Sequence, residues 1–182
     1  MKNICYYFSF VVLATSCAGF RNVDNTNAIL NKNNLDLVDG TYSNFSISDG
    51  GGYVITFADV IDRNTNMFIF KKKYNERDVR MQLKMISSKK LNVKIYKAGK
   101  LMLEKDLKVK LKDDGFLYLK EKRFMLQGIP LVFGGWNIQK SRFTVDEKNN
   151  LQIQSNYFFC NGFMIVMSDW KTSRYTLNFE KL

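Results

Sequence analysis

The sequence predicts an all-β fold, an antiparallel meander that closes into a barrel, with a two-sheet sandwich as the second choice. Aromatic residues make up 14% of the chain, and they favour pleated, half-buried surfaces. Short segments alternate apolar and polar residues, as at Val79, Met81, Leu83 and Met85. Proline occurs once and glycine 11 times, so the turns between strands depend on Gly, Asn and Asp.

The chain begins with a predicted signal peptide over residues 1–16. Lys2 supplies a positive charge, residues 4–13 form an apolar run interrupted by Ser9, and small residues follow. The apolar run is too short to span a hydrocarbon core about 30 Å thick, so a retained transmembrane helix is the weaker alternative. These features predict export and removal of the segment.

The segment Ala14-Thr15-Ser16-Cys17 resembles the lipobox of bacterial envelope lipoproteins, although Ala14 stands where that family typically has Leu. The resemblance implies that Cys17 becomes the new amino terminus and carries two or three acyl chains, palmitate among them. Because each buried methylene contributes about 0.8 kcal/mol, such an anchor is effectively permanent. No acidic cluster follows Cys17, so we expect a lipid-anchored protein of the cell envelope that faces the periplasm. The alternative is an ordinary signal peptide in which Cys17 has no role.

Residues 17–38 are predicted to form the lipidated tether, because they are rich in Asn and have no sustained hydrophobic period. The domain is predicted to span residues 39–182. Its first strand runs from Thr41 to Ile47, whereas Tyr53 to Asp62 is open between a strand and a short helix.

Further strands follow wherever apolar and polar residues alternate, for example from Leu91 to Ile95, Leu107 to Leu111 and Tyr175 to Phe179. Turn residues separate these segments, which predicts antiparallel neighbours and about nine or ten strands. The turn signals are Ala98-Gly99, Asp113-Asp114-Gly115, Asp146 to Asn150 and Asn161-Gly162.

The opening Asp39-Gly40-Thr41-Tyr42, followed by a β meander, resembles the lipocalin-like domains of envelope lipoproteins. The resemblance implies a lipocalin-like barrel over residues 39–182, whose mouth is the default ligand site. Phe133-Gly134-Gly135-Trp136 is then expected to form a bulge or bend of the barrel wall, since glycine tolerates such backbone.

Residues for catalysis and metal binding are scarce. The chain contains no histidine, which is the commonest general base and a common metal ligand. Cys160 is expected to be a buried small hydrophobe without a disulfide partner. The adjacent carboxylates Asp113-Asp114 and Asp146-Glu147 lie in predicted turns and are best explained by turn formation. We therefore predict no catalytic residue, no metal site and no cofactor.

Positive charge concentrates in one part of the chain. Residues 71–123 contain 18 Lys and Arg against 7 Asp and Glu, a net charge of +11. Without residues 1–16 the chain has 27 basic and 17 acidic residues, or +10, so the remainder is close to neutral. Lys108, Lys110 and Lys112 interleave with an apolar stripe and are candidate anion-binding residues. The alternative is a solvated exterior that needs charge for solubility.

These observations favour a non-catalytic, membrane-anchored lipoprotein with a binding or envelope-maintenance role, and a small apolar ligand is one expected partner. The alternative function is a polyanion-binding module whose basic strands contact lipid A or an acidic glycan. An enzyme is the least favoured function. Nucleic acid is not an expected partner, because export separates the protein from it.

Overall fold

A computed structural model describes residues 20, 30–48, 56–61, 74, 76–120, 123–129, 133–163 and 167–182. The predicted signal peptide and Cys17 lie outside these residues. The described helices are a 3-10 helix, Leu35–Val38, and α1, Phe57–Ile61. The described strands are β1 Gly40–Ser46, β2 Val79–Ser87, β3 Lys90–Lys97, β4 Lys100–Leu111, β5 Leu117–Leu119, β6 Arg123–Ile129, β7 Phe133–Val145, β8 Leu151–Phe163 and β9 Met167–Lys181.

Eight of these strands form a closed antiparallel barrel, as the sequence predicts. Their order is β5-β4-β3-β2-β1-β9-β8-β7, and β5 pairs with β7 to complete the ring. The closing ladder aligns Leu117 with Phe143 and Tyr118 with Arg142. Closure pairs the two edges that an open sheet would expose. The lipocalin-like meander barrel is therefore confirmed, and the sandwich is excluded.

The chain divides into two compact units. The larger unit consists of Asn25–Glu121, Ser141–Gln154 and Tyr175–Leu182, and it holds the closing ladder between β5 and β7. The smaller unit consists of Met1–Asp24, Lys122–Lys140 and Ser155–Arg174. In the smaller unit β6 pairs with the first half of β7, from Arg123 opposite Gln139 to Ile129 opposite Phe133.

Inward-facing side chains fill the barrel. On β3 these are Leu91, Val93 and Ile95, all fully buried, and they belong to a single core cluster with members on each barrel strand. Helix α1 adds Phe57, whose ring stacks on Phe179 of β9 at 4.9 Å between centroids. Burial of such side chains contributes roughly 1.5–3 kcal/mol each, so this cluster is the main source of stability.

Asn44 of β1 holds helix α1 against the barrel. It is buried, its Oδ1 accepts a hydrogen bond from the Ala58 N–H at 3.0 Å, and its Nδ2 donates to the Tyr74 carbonyl at 2.7 Å. Buried backbone groups need such partners, because an unsatisfied group there costs free energy. One side-chain amide therefore provides hydrogen-bond partners for a backbone N–H at the start of α1 and for the Tyr74 carbonyl.

The residues before β1 pack onto the barrel. Leu30, Leu35 and Val38 are buried in the core cluster, so the predicted tether, residues 17–38, is packed from Leu30 onward. Asp39 Oδ1 accepts a hydrogen bond from the Met85 N–H at 2.6 Å. These contacts fix the amino-terminal side of the domain at the end of the barrel where β1 begins and β2 ends.

Several sequence predictions are confirmed. Strand β1 matches the predicted first strand to within one residue at each end, and the strands predicted from alternation at β2, β3 and β4 are present. The segment 53–62, which the sequence left open, contains α1. Ala98 and Gly99 have positive φ values of 48° and 77°, as a tight hairpin turn requires.

One local prediction is wrong, and a second is wrong in part. Asn161-Gly162 does not form a hairpin turn, because β8 continues through both residues. Strand β8 lies between β7 and β9, and pairing on both sides outweighs the local turn preference. At Phe133-Gly134-Gly135-Trp136, where the sequence predicts a bulge or a bend, the ladder with β6 has no register shift and hence no bulge, and the bend stays a prediction.

Candidate anion-binding face

The three lysines predicted to bind an anion are exposed on the outside of the barrel. Lys108 and Lys110 alternate along β4 with Leu107 and Val109, which are fully buried in the core. Successive side chains of a strand point to opposite faces, so both lysines project outward. Lys112 follows the end of β4, and its Nζ lies 3.8 Å from the centre of the Tyr118 ring.

A row of three lysines crosses three neighbouring strands. Lys90 of β3 lies directly opposite Lys108 in the β3–β4 ladder. On the other side of β4, the Lys120 N–H donates to the Lys108 carbonyl at 2.9 Å, which continues the β4–β5 register. Directly opposite residues have Cβ atoms about 4.5–5.5 Å apart, so the three side chains stand next to one another.

One more lysine lies beside this row. Lys89 occupies the turn between β2 and β3, and its carbonyl accepts a hydrogen bond from the Val109 N–H at 2.9 Å. Together these exposed residues form what we call the lysine face, which consists of Lys89, Lys90, Lys108, Lys110, Lys112 and Lys120.

The two acidic residues of β4 form ion pairs with lysines of β3, and one of those lysines, Lys90, belongs to the row. Asp106 Oδ2 lies 2.7 Å from the Lys90 Nζ, and Glu104 Oε1 lies 3.3 Å from the Lys94 Nζ. Asn92 donates hydrogen bonds to both carboxylates. The hydrogen bond from Lys90, followed by that from Asn92, lowers the pKa of Asp106 below its usual value.

The rest of the lysine face keeps its positive charge uncompensated. Within the part of the chain that the structure describes, no carboxylate lies within ion-pair distance of Lys108, Lys110 or Lys120. Adjacent like charges raise the local potential and attract anions. The lysine face is therefore predominantly positive, although one of its members, Lys90, is paired with Asp106.

A buried arginine supports the edge of the face. Arg142 of β7 donates from Nη1 to Asp114 Oδ2 at 3.0 Å and to the Tyr118 hydroxyl at 2.8 Å, and from Nε to Gln154 Oε1 at 2.8 Å. Its guanidinium carbon lies 4.1 Å from the centre of the Phe116 ring. Arg142 thus fastens the turn after β4 to the outside of β7.

Tyr118 connects this arginine to Lys112. The Tyr118 hydroxyl donates to Asp114 Oδ2 at 2.5 Å, while its ring lies under the Lys112 ammonium. Burial, followed by the hydrogen bond to Asp114, raises the pKa of Tyr118. The residue therefore stays a neutral phenol whose ring face attracts a cation.

One carboxylate of each adjacent pair seen in the sequence takes part in its turn. Asp114 accepts from the Phe116 N–H at 3.2 Å in addition to its Arg142 contact. Asp146 accepts from the Lys148 and Asn150 N–H groups at 2.9 Å and 2.8 Å. Such bonds from an Asp side chain to nearby backbone are typical of turns.

Neither a metal cluster nor a spanning helix occurs among the described residues. No three of their Asp, Glu and Cys side chains lie close enough together to hold a metal ion. None of their helices has the length and apolar character needed to cross a membrane. Cys17 and the side chain of Cys160 lie outside the part of the chain that the structure describes.

Sequence reasoning found half of the lysine face. Alternation along β4 identified Lys108, Lys110 and Lys112, but it cannot give the register that brings Lys90 and Lys120 beside Lys108. The excess of basic residues in 71–123 was the available signal for them. Arg142 was missed, because nothing in its local sequence shows that the turn after β4 would cover it.

Comparison of the chain with protein-family models, with curated proteins and with solved structures finds no match.

Proposed function

We propose that this protein is an exported, lipid-anchored binding module without catalytic activity, and that its lysine face binds a phosphate-rich or otherwise polyanionic component of the bacterial envelope. The observation that carries the proposal is the row Lys90, Lys108 and Lys120, in which like charges occupy three adjacent strands. Like charges directly opposite one another destabilise a sheet, so the arrangement calls for an anionic partner.

The packing of the barrel favours a surface partner over an enclosed apolar ligand. Inward side chains such as Val93, Leu107 and Phe143 are at most 1% exposed and touch one another in a single cluster. A ligand cavity in that region would require these side chains to move apart, at the cost of their packing. The outer lysines need no rearrangement to meet an anion.

The anchor is tested by expressing the full chain in a bacterial host beside Cys17→Ala. The proposal expects that the wild type loses residues 1–16, gains acyl mass and fractionates with membranes, whereas the variant does none of these. Intact-mass spectrometry and membrane fractionation report the result. An unacylated wild type that stays in the cytosol would reject the anchor.

Polyanion binding is tested with inorganic polyphosphate in solution. Lys108→Glu with Lys110→Glu should reduce affinity by tenfold or more, since each lost contact contributes roughly 1 kcal/mol and the new carboxylates repel the ligand. The matched control is Lys84→Glu with Lys100→Glu, which changes the net charge equally at exposed lysines outside the lysine face.

Salt provides the second readout of that experiment. Contacts between exposed charges weaken as the Debye length falls from about 10 Å at 0.1 M to about 3 Å at 1 M. Wild-type binding should therefore decrease steeply with added salt. Binding that ignores salt, or an equal loss in the control pair, would reject the lysine face as the site.

A further inference from the structure

We propose that the polyanion is the anionic headgroup surface of the membrane that holds the anchor. The lysine face of the barrel then contacts the headgroups of that membrane. This inference rests on the proposed function and assigns it a specific partner. Three features of the molecule support it: the position of the lysine face, the place where the chain joins the barrel, and the chemistry of the cations.

The lysine face and the amino-terminal side of the domain share one end of the barrel. Strand β1 begins at Gly40, opposite Leu83, and Asp39 is bonded to the Met85 N–H. Two residues after Met85, strand β2 ends at Ser87, which pairs with Lys90 at the start of β3. The row through Lys90 therefore starts within a few residues of the point where the chain joins the barrel.

The length of chain before the barrel limits the distance between the barrel and the anchor. From Cys17 to Leu30 the chain advances 13 residues (30 − 17), and Leu30 is already buried in the core. At about 3.3–3.6 Å per residue this segment spans at most roughly 45 Å even when fully extended. An anchor at Cys17 thus keeps Leu30 within about 45 Å of the membrane surface.

Two lysines towards the opposite end of β3 are paired with acids. Lys97, at the far end of β3, lies 2.7 Å from Glu76, and this hydrogen bond raises the pKa of Lys97. Lys94, three residues earlier on β3, pairs with Glu104. Lys94 and Lys97 are therefore compensated, whereas Lys108 and Lys110, at the end where the anchored chain arrives, have no carboxylate within ion-pair distance among the described residues.

The type of cation fits a lipid surface better than a single bound molecule. Each member of the lysine face is an exposed lysine, a compact charge on a flexible stem that follows a partner without fixed geometry. The nearby arginine, Arg142, is buried and occupied by Asp114 and Gln154. An array of mobile ammonium groups can contact many dispersed headgroups, and each adds affinity for an anionic leaflet.

Lysine footprinting of the mature acylated protein in vesicles tests this orientation. Vesicles of phosphatidylcholine are compared with vesicles that contain phosphatidylglycerol as well, and a water-soluble acetylating reagent modifies the accessible lysines. We expect acetylation of Lys89, Lys108, Lys110 and Lys120 to fall by about fivefold in the anionic vesicles, the factor that about 1 kcal/mol per lysine represents. Lys84 and Lys100, which lie outside the lysine face, serve as internal controls and should be unchanged.

The other outcomes overturn the inference in separable ways. If acetylation is the same in both vesicles while polyphosphate still binds in solution, the lysine face has a soluble partner and the proposed function stands. Equal protection of Lys100 and Lys108 would mean adsorption without orientation, which contradicts the inference. If the protein carries no acyl mass, the anchor and this inference fail together.

Discussion

Lys108 lies directly opposite Lys90 across the β3–β4 ladder, and the two have different surroundings. Lys90 is paired with Asp106 at 2.7 Å, whereas Lys108 has no carboxylate within ion-pair distance among the described residues. Like charges directly opposite one another destabilise a sheet, so this pair lowers the stability of the β3–β4 ladder. The same pair makes the outer surface positive. Folding and binding should therefore respond in opposite directions to a change at Lys108.

Replacing Lys108 with Glu should stabilise the fold and weaken binding. The new carboxylate faces Lys90 and Lys120, so the free energy of unfolding should rise by about 0.5 kcal/mol. Polyphosphate affinity should fall in the same variant. Urea denaturation and a binding titration measure the two effects. Lys100→Glu, at the far end of the same strand, should leave affinity unchanged; a variant that loses both stability and affinity would contradict the interpretation of Lys108.

Replacing Arg142 with Met should destabilise the barrel by about 2 kcal/mol, because it removes a buried cation and leaves Gln154 Oε1 without its donor. Asp114→Asn should cost less than about 1 kcal/mol, since the Asp114 side chain is 39% exposed and its pairing is screened by solvent.

The coupling between these two residues is measured by a double-mutant cycle in urea. We expect the double variant to be little less stable than Arg142→Met alone, because Asp114 has then already lost its partner. Strictly additive losses would show that Arg142 acts through packing on Phe116 rather than through the carboxylate.

Asn44→Ala should reduce the free energy of unfolding by about 2–3 kcal/mol. The change leaves the Ala58 N–H and the Tyr74 carbonyl without their side-chain partner in a buried place. The neighbouring Ser43→Ala is the control, because Ser43 is half-buried and bonds only within its own strand. If the two variants lose equal stability, Asn44 does not hold α1 in the way we describe.

Tyr42 should make the protein sensitive to alkaline pH. Burial, followed by the negative charge of Asp39, raises the pKa of Tyr42 far above its ordinary value of 10.0. Above about pH 10, the unfolded chain releases the phenol proton of Tyr42, whereas the folded protein retains it. The free energy of unfolding should consequently decrease as pH rises, by up to about 1.4 kcal/mol per pH unit, until the folded pKa is reached.

Tyr42→Phe removes this proton and should make the decline shallower. At neutral pH the variant should lose about 1 kcal/mol, because the Val38 carbonyl no longer accepts the 2.9 Å hydrogen bond from the hydroxyl. Urea titrations between about pH 8 and about pH 11 measure the slope. Tyr96→Phe, at a more exposed tyrosine, is the control, and an unchanged slope in Tyr42→Phe would refute the assignment.

The candidate site shows how far local pattern reaches. Alternation along β4 predicted that Lys108 and Lys110 share an outer face, because the two-residue period of a strand is a local property. The neighbours of Lys108 could not be predicted, since Lys90 and Lys120 come beside it only through the registers of two ladders. The ion pair of Arg142 could not be predicted from local pattern either, because its partner Asp114 lies 28 residues away in the sequence.

By itself, the sequence determined the fold class, the strands of clear alternation and the basic stretch, because each depends on side-chain type and short-range spacing. Tertiary structure decided the closure through β5 and β7, the packing of Leu30 to Val38, the passage of β8 through Asn161-Gly162, and the lysine row. These features arise from contacts between segments distant in sequence. Their energies outweigh local preferences once the barrel has closed.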